Sequence, residues 1–232
     1  MAGALAFTAF FEGWIKKKQS LLEKLLPLLS NDQESNEELC KELVAEVFAH
    51  YQEYYQEKSR AVNEDVFLML SPPWMNSFER TLLWISEFKP SMVFPLIKNS
   101  LKECLTSDQV EKIEEIKAQT KREEKEVEQA MATVQESIAA PPIFELMRRF
   151  GRLVDGEISE LDEAMEKFKE NMKMVVENAD ALRGSTVRKL MGILSPFQTA
   201  KFLAASAQFV VQARMWGSER DAQRSAAAGM HN

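Results

Sequence analysis

An all-α fold, a single multi-helix bundle with long antiparallel helices and short connecting helices, follows from three observations. Apolar residues recur at helical spacing along most of the 232-residue chain, and at 45% of the composition they are numerous enough to bury a substantial core. Leu, Met, Glu and Lys outweigh Val and Thr, which favours helices over strands. Gly is low, at 8 residues, and the 8 prolines concentrate near predicted helix ends. No composition shift or linker divides the chain, so one domain is expected over residues 7–216, with a flexible, polar tail over 217–232.

The first helix is expected over about residues 7–29, with Phe11, Trp14, Ile15, Leu21, Leu22, Leu25 and Leu28 on its inward stripe and Pro27 kinking or ending it. A polar connection, Asn31 to Asn36, leads to a second helix through Leu39, Leu43, Val47, Tyr51, Tyr55, Val62, Val66 and Met69. The Ser71-Pro72-Pro73 run stops that helix, because the residue before a proline is driven out of helical backbone. Asn76 and Glu79 have the spacing of a reciprocal cap for a third helix, which would carry Leu83 and Trp84 near its middle and finish around Phe88. Lys89-Pro90-Ser91 then redirects the chain into a short helix from Met92 to Leu101.

A second capping box, Thr106 with Gln109, opens a long charged helix whose apolar stripe is Val110, Ile113, Ile116, Val127, Met131, Val134 and Ile138. The run Lys121 to Glu126 interrupts that stripe. It reads as a solvated face or as a partner-docking face, and is too broken for a coiled-coil seam. Pro141-Pro142 precedes a helix near Ile143. Another amphipathic helix runs from Ile158 through Leu161, Met165, Phe168, Met172, Val175 and Ala179, and Ser195-Pro196-Phe197-Gln198 caps the last one. Its inward face is Phe202, Ala205, Phe209, Ala213 and Trp216.

The net charge of −7 and pI near 5.2 oppose contact with a phosphate backbone, and Lys16 to Lys18 read as solvent-facing residues. Cys40 and Cys104 are far apart and form neither a disulfide framework nor a zinc spacing, which suits a reducing compartment. The apolar opening lacks the basic leader of a secretory signal, and no apolar run has transmembrane length.

Catalysis has little to work with. Neither His50 nor His231 has the sequence context of a nucleophile system. Glu46, His50 and Glu53 could share a helix face, but two carboxylates and an imidazole arise readily in an acidic helix and need hold no metal. Glu123, Glu124, Glu126 and Glu128 read as charges on an exposed helix rather than a converging acid pair. The twelve methionines fill a core or an adaptable hydrophobic pocket.

The aromatic and charged residues carry a more specific message. Phe11-Glu12-Gly13-Trp14, the stretch His50-Tyr51 through Tyr54, Tyr55 and Lys58, then Asp65, Trp74, and Glu79-Arg80 leading to Trp84 and Phe88-Lys89-Pro90-Ser91 resemble the plant DOG1 domain. The likeness continues through Gln109, through Asp180 and Arg183, and through Ile193 to Leu203 with Gln198. It covers about residues 10–216, and it is shared with the C-terminal region of TGA transcription factors.

This resemblance implies an all-helical, non-catalytic regulator or scaffold in developmental or transcription-associated control, such as seed dormancy or maturation. It implies partners among regulatory proteins, including transcription factors or protein phosphatases, and a nuclear or cytoplasmic location. The same family admits haem, and its pollen-aperture branch a membrane-associated scaffold. The methionine-rich helices and the aromatic corner leave a lipid-like ligand open, and homo-oligomerisation stays open. No basic leucine zipper precedes the domain, so direct DNA reading does not carry over.

The family's turn reads approximately W-I-G-G-F-R-P-S, whereas this chain has Ser86-Glu87 for the two glycines and Lys89 for the arginine. Lys89 keeps the charge but loses the planar fork, and Glu87 adds an acid where glycine allows close backbone approach. Trp84, if fully buried, would contribute about 3–5 kcal/mol. Glu79 and Arg80 point in different directions, so each needs a distant partner, for which the resemblance offers Asp180 or Arg183.

Overall fold

Amphipathic periodicity builds most of the architecture. In the computed structural model, which describes residues 2–30 and 37–229, four long helices follow the first one: α1 (Ala2–Ser30), α2 (Glu37–Glu64), α6 (Ser107–Ser137), α8 (Asp155–Met191) and α9 (Pro196–Gly229). Short elements connect them: α3 (Val66–Leu70), α4 (Ser77–Thr81), strands β1 (Leu83–Trp84) and β2 (Glu87–Phe88), a 3-10 turn (Pro90–Met92), α5 (Val93–Leu101) and α7 (Ile143–Arg148). The all-α bundle of long and short helices is therefore as the sequence predicts, with one miniature hairpin added. The polar connection at 31–36 and His231 lie outside the described residues.

The caps behave as local chemistry requires. Asn76 accepts the Glu79 amide at 2.9 Å while Glu79 accepts the Asn76 amide at 2.9 Å. Thr106 with Gln109, and Ser195 with Gln198, form the same reciprocal pair. Pro27 lies inside α1, which continues to Ser30 rather than ending there.

Two expectations need correction. The single helix predicted through Met69 is two, because Asp65 leaves helical backbone and caps α3 by accepting the amides of Phe67 and Leu68 at 3.0 and 3.2 Å. The helix expected to reach Phe88 stops at Thr81, and Leu83 and Trp84 pair antiparallel with Phe88 and Glu87. The loop between the strands is Ile85 and Ser86, both at positive φ (46° and 67°), as in a type I′ hairpin turn.

Two apolar clusters fill the bundle end to end. One joins Leu21 and Leu25 of α1 to Val44 and Val47 of α2, Ile97 and Leu101 of α5, Leu190 of α8 and Phe202 of α9. The other gathers Phe7, Phe11 and Trp14 of α1 with Tyr54, Val62, Met69, Trp74, Phe168 and Val176. Beyond Gly217, where a flexible tail was expected, α9 is helical to Gly229, and Asp221 accepts the Ser77 amide at 2.9 Å and bonds its hydroxyl. A Cβ at Gly217 would collide with the Asn76 side-chain amide, so this glycine lets the cap of α4 seat on α9.

Candidate functional site

The hairpin is held by charge. Lys58, on α2, is 1% exposed, and its Nζ lies 3.1 Å from Glu87 and 2.6 Å from Asp180. Arg183, one turn along α8 from Asp180, bonds that carboxylate at 2.6 Å. Its Nε donates to the Phe88 carbonyl at 2.8 Å, and its Nη2 donates to the carbonyls of Trp84, Ile85 and Glu87 at 2.5, 2.9 and 3.2 Å. One guanidinium thus satisfies four carbonyls that a two-residue turn leaves pointing the same way.

The four charges balance, two against two. Burial works to raise the pKa of Glu87, but the ammonium of Lys58 and the guanidinium of Arg183 outweigh it and hold this carboxyl below its usual range. Burial raises Asp180, and the Glu87 charge adds to the rise against the pull of Lys58. Glu87 is therefore a counter-ion to Lys58, and the sequence expectation that it merely replaces a glycine is incomplete.

Helix α6 grips the same corner from outside. Glu128 accepts from Trp84 Nε1 at 2.8 Å and from Lys89 at 2.6 Å, and buried Glu124 accepts the Ser91 amide at 2.6 Å. The Lys89 hydrogen bond is the main reason Glu128 stays below its ordinary carboxyl range. Two members of the acidic run that read as an exposed face thus dock their own chain's Trp84-to-Ser91 turn. Pro90 is buried at the start of the 3-10 turn, and the Phe88 ring meets Phe209 edge-on at 6.1 Å. Trp84 is only partly buried, so the contribution expected of a fully enclosed ring does not apply to it.

Beside this corner is an aromatic layer. Trp14 stacks on His50 at 4.7 Å and 15°, donates to the His50 carbonyl at 3.0 Å, and packs on Tyr54 at 4.6 Å. Lys18 lies 4.4 Å from the ring centres of both Trp14 and Tyr51 and donates to the Tyr51 hydroxyl at 2.6 Å. Tyr54 is buried and its phenol is raised well above the usual value, chiefly by burial. Tyr55 meets Tyr54 edge-on and faces Lys58 at 5.7 Å.

His50 is 1% exposed and neither ring nitrogen has a hydrogen-bond partner. Burial and the charges of Lys18 and Lys17 push its pKa down to about 4. A ring stacked on Trp14 and closed from solvent cannot reach an axial haem position without unpacking α1, so these residues do not fit that group. Nor do Glu46 and Glu53 converge on it: they pair with Lys24 and Lys17 instead. Among the described residues no cluster of metal-binding side chains forms.

The remaining marked residues lie elsewhere. Glu79 pairs with Arg214 of α9 at 3.1 Å, not with Asp180 or Arg183, and the same guanidinium bonds the Trp74 carbonyl at 3.2 Å. Trp74 packs on Phe7 at 4.6 Å, and Arg80 is exposed. Gln198 belongs to the opposite end of the bundle, where its side chain and that of Gln109 exchange hydrogen bonds at 2.9 and 3.1 Å. Gln109 also reaches the Ile193 carbonyl, and Gln198 the Cys104 carbonyl. Sequence reasoning missed Lys18, Glu87, Arg214 and the two glutamates of α6 as partners; only the i, i+4 spacing of Glu124 and Glu128 hinted at a shared face.

Most of the corner's donors and acceptors are spent on one another, the buried hydroxyl of Ser86 excepted. The cavity against the corner, between Tyr55, Phe88, Val93, Arg183 and Phe209, holds about 120 Å³. That falls short of the roughly 300–1,000 Å³ of ordinary small-molecule sites.

The comparisons with known proteins bear on the same residues. A family model described as seed dormancy control matches residues 21–99, which span α2 and the turn from Trp84 to Ser91 but not the α6 and α8 residues that hold it. The Arabidopsis thaliana protein RESPONSE TO ABA AND SALT 1 is 39% identical over 227 residues, 95% of this chain and 96% of its own length. The chain belongs to the DOG1 family. DOG1-like 4 of Arabidopsis thaliana is 34% identical over 92% of this chain and 93% of its own. The rice transcription factor TGA2.3 (Oryza sativa subsp. japonica) is a more distant relative, 27% identical over 93% of this chain, which spans 65% of that factor. DOG1-family proteins are non-catalytic regulators. In this member one part of the signature, Lys58, Trp84, Phe88 to Ser91, Asp180 and Arg183, builds the joint between α2, α6, α8 and the hairpin.

Proposed function

We propose that this DOG1-family protein is a plant regulatory scaffold that acts by holding other regulatory proteins, in seed dormancy or maturation and in responses to hormone and salt. The observation that carries the reading is the 39% identity, over nearly the full length of both chains, with RESPONSE TO ABA AND SALT 1, whose name supplies the hormone and salt context. The relationship to TGA factors supports transcription-associated partners. Protein phosphatases are a further class in this proposal, and its site of action is nuclear or cytoplasmic. A chain whose corner spends most of its polar groups internally presents its helix surfaces to those partners.

The test is affinity capture of the full chain from developing seed and from salt-treated seedlings, with mass spectrometry. A reproducible set of regulatory proteins is expected in at least one tissue. Absence of any reproducible partner in every tissue sampled would sink the proposal.

A further inference from the structure

An apolar surface unconnected with the corner lies in the stretch that joins α6 to α8. Ile138, Phe144, Met147, Phe150, Val154 and Ile158 account for six of the thirteen exposed large apolar side chains among the described residues, and all fall within one short stretch. Phe150 is 75% exposed. Helix α7 buries only Ile143 and Leu146, and Ile143 belongs to the core cluster that contains Phe168. Gly151, at φ 86°, turns the chain sharply just after Phe150 and leaves that ring proud of the fold.

The charge here differs from the rest of the molecule. Between Ile143 and Val154 stand Arg148, Arg149 and Arg152 with Glu145 the lone acid, in a chain of net charge −7. Arg149 pairs with Glu157 at 2.5 Å, whereas Arg148 and Arg152 form no ion pair among the described residues. Lys167 stands close by, lining the same notch as Pro141, Pro142 and Ile143. Acids resume at Asp155 and along α8 from Glu157.

We infer that this stretch is a lipid-contacting surface, which sets Phe144, Met147, Phe150 and Val154 into the interfacial layer of an anionic bilayer while Arg148 and Arg152 meet the phosphates. Exposed Phe144, Met147 and Phe150 stand on a six-residue helix and the turn after it, and that helix buries only Ile143 and Leu146. A flat, deformable bilayer accepts such exposed apolar groups directly, and arginines snorkel beside them to the headgroups. Pairing with a second copy would instead bring the arginine-rich stretches together. Among the described residues no helix is long and apolar enough to cross a membrane; the contact inferred is interfacial.

The full chain, mixed with phosphatidylcholine vesicles with and without phosphatidylserine and sedimented, tests this without any protein partner, and so separately from the scaffold reading. Binding to the phosphatidylserine vesicles is expected, weakening as salt rises. Phe144→Ser with Phe150→Ser should reduce partitioning at least about tenfold with the melting temperature unchanged. Arg148→Ala with Arg152→Ala should cost about fivefold per arginine and remove most of the preference for phosphatidylserine. No partitioning at low salt, or partitioning indifferent to the phenylalanines, overturns the inference. So does concentration-dependent self-association that the phenylalanine variant abolishes while vesicles stay unbound.

Discussion

Lys58 and His50 lie on the same helix, two turns apart, each about 1% exposed, and the fold treats them in opposite ways. Lys58 meets two carboxylates, and Arg183 completes a neutral quartet around it. His50 meets Trp14 and the fields of Lys17 and Lys18, finds no partner for either ring nitrogen, and stays neutral. A buried ionisable group thus keeps its charge only where counter-ions from other elements have been brought to it. Elsewhere the same burial strips the charge away.

Removing Lys58 should be the severest way to break this contrast. Lys58→Met leaves Glu87 and Asp180 facing each other in a largely dry site, at a cost of about 3–5 kcal/mol in urea unfolding. Adding Glu87→Gln and Asp180→Asn should restore much of the loss; a triple variant no more stable than the single one would show that Lys58 acts by packing alone.

His50 should reveal itself through pH. Its folded pKa of about 4 lies below the ordinary 6.5, so the unfolded chain takes up the proton first as pH falls. Stability from this residue is complete above the ordinary value, declines by about 1.4 kcal/mol per pH unit below it, and levels off near the folded value. His50→Phe keeps the stack on Trp14 and should remove that component. Unfolding free energies of the two proteins, compared at neutral pH and in the acid window, measure the difference directly.

The Gln109–Gln198 pair is a third way to bury polarity, with no charge involved. Gln198→Ala should cost about 1–2 kcal/mol, less than Lys58→Met, and should couple to Gln109→Ala in a double-mutant cycle. The smallest expected effect has the opposite sign. Ser86 is held at φ 67° with its buried hydroxyl unpaired, so Ser86→Gly should stabilise the protein by about 1 kcal/mol, seen as a raised melting temperature.

Much of the fold was legible because its signals are local. Asn76 with Glu79, Thr106 with Gln109, and Ser195 with Gln198 are reciprocal caps set by a three-residue spacing, and each forms as read. The hairpin was not legible. Ile85-Ser86 carries no glycine or asparagine to announce a type I′ turn, and its geometry is imposed by Arg183, roughly a hundred residues away in sequence. Gly217 looked like the start of a tail because its function, admitting Asn76, exists only once α9 lies against α4.

The sequence by itself determined the helices, most of their caps and membership of the DOG1 family, since periodicity, capping and a distributed signature are properties of the chain. Only the tertiary structure decided what the signature residues do. Ion pairs such as Lys58 with Asp180 and Glu79 with Arg214 join residues more than a hundred positions apart. Nothing in their spacing selects one counter-ion over another. Packing does, by fixing which carboxylate reaches each buried cation.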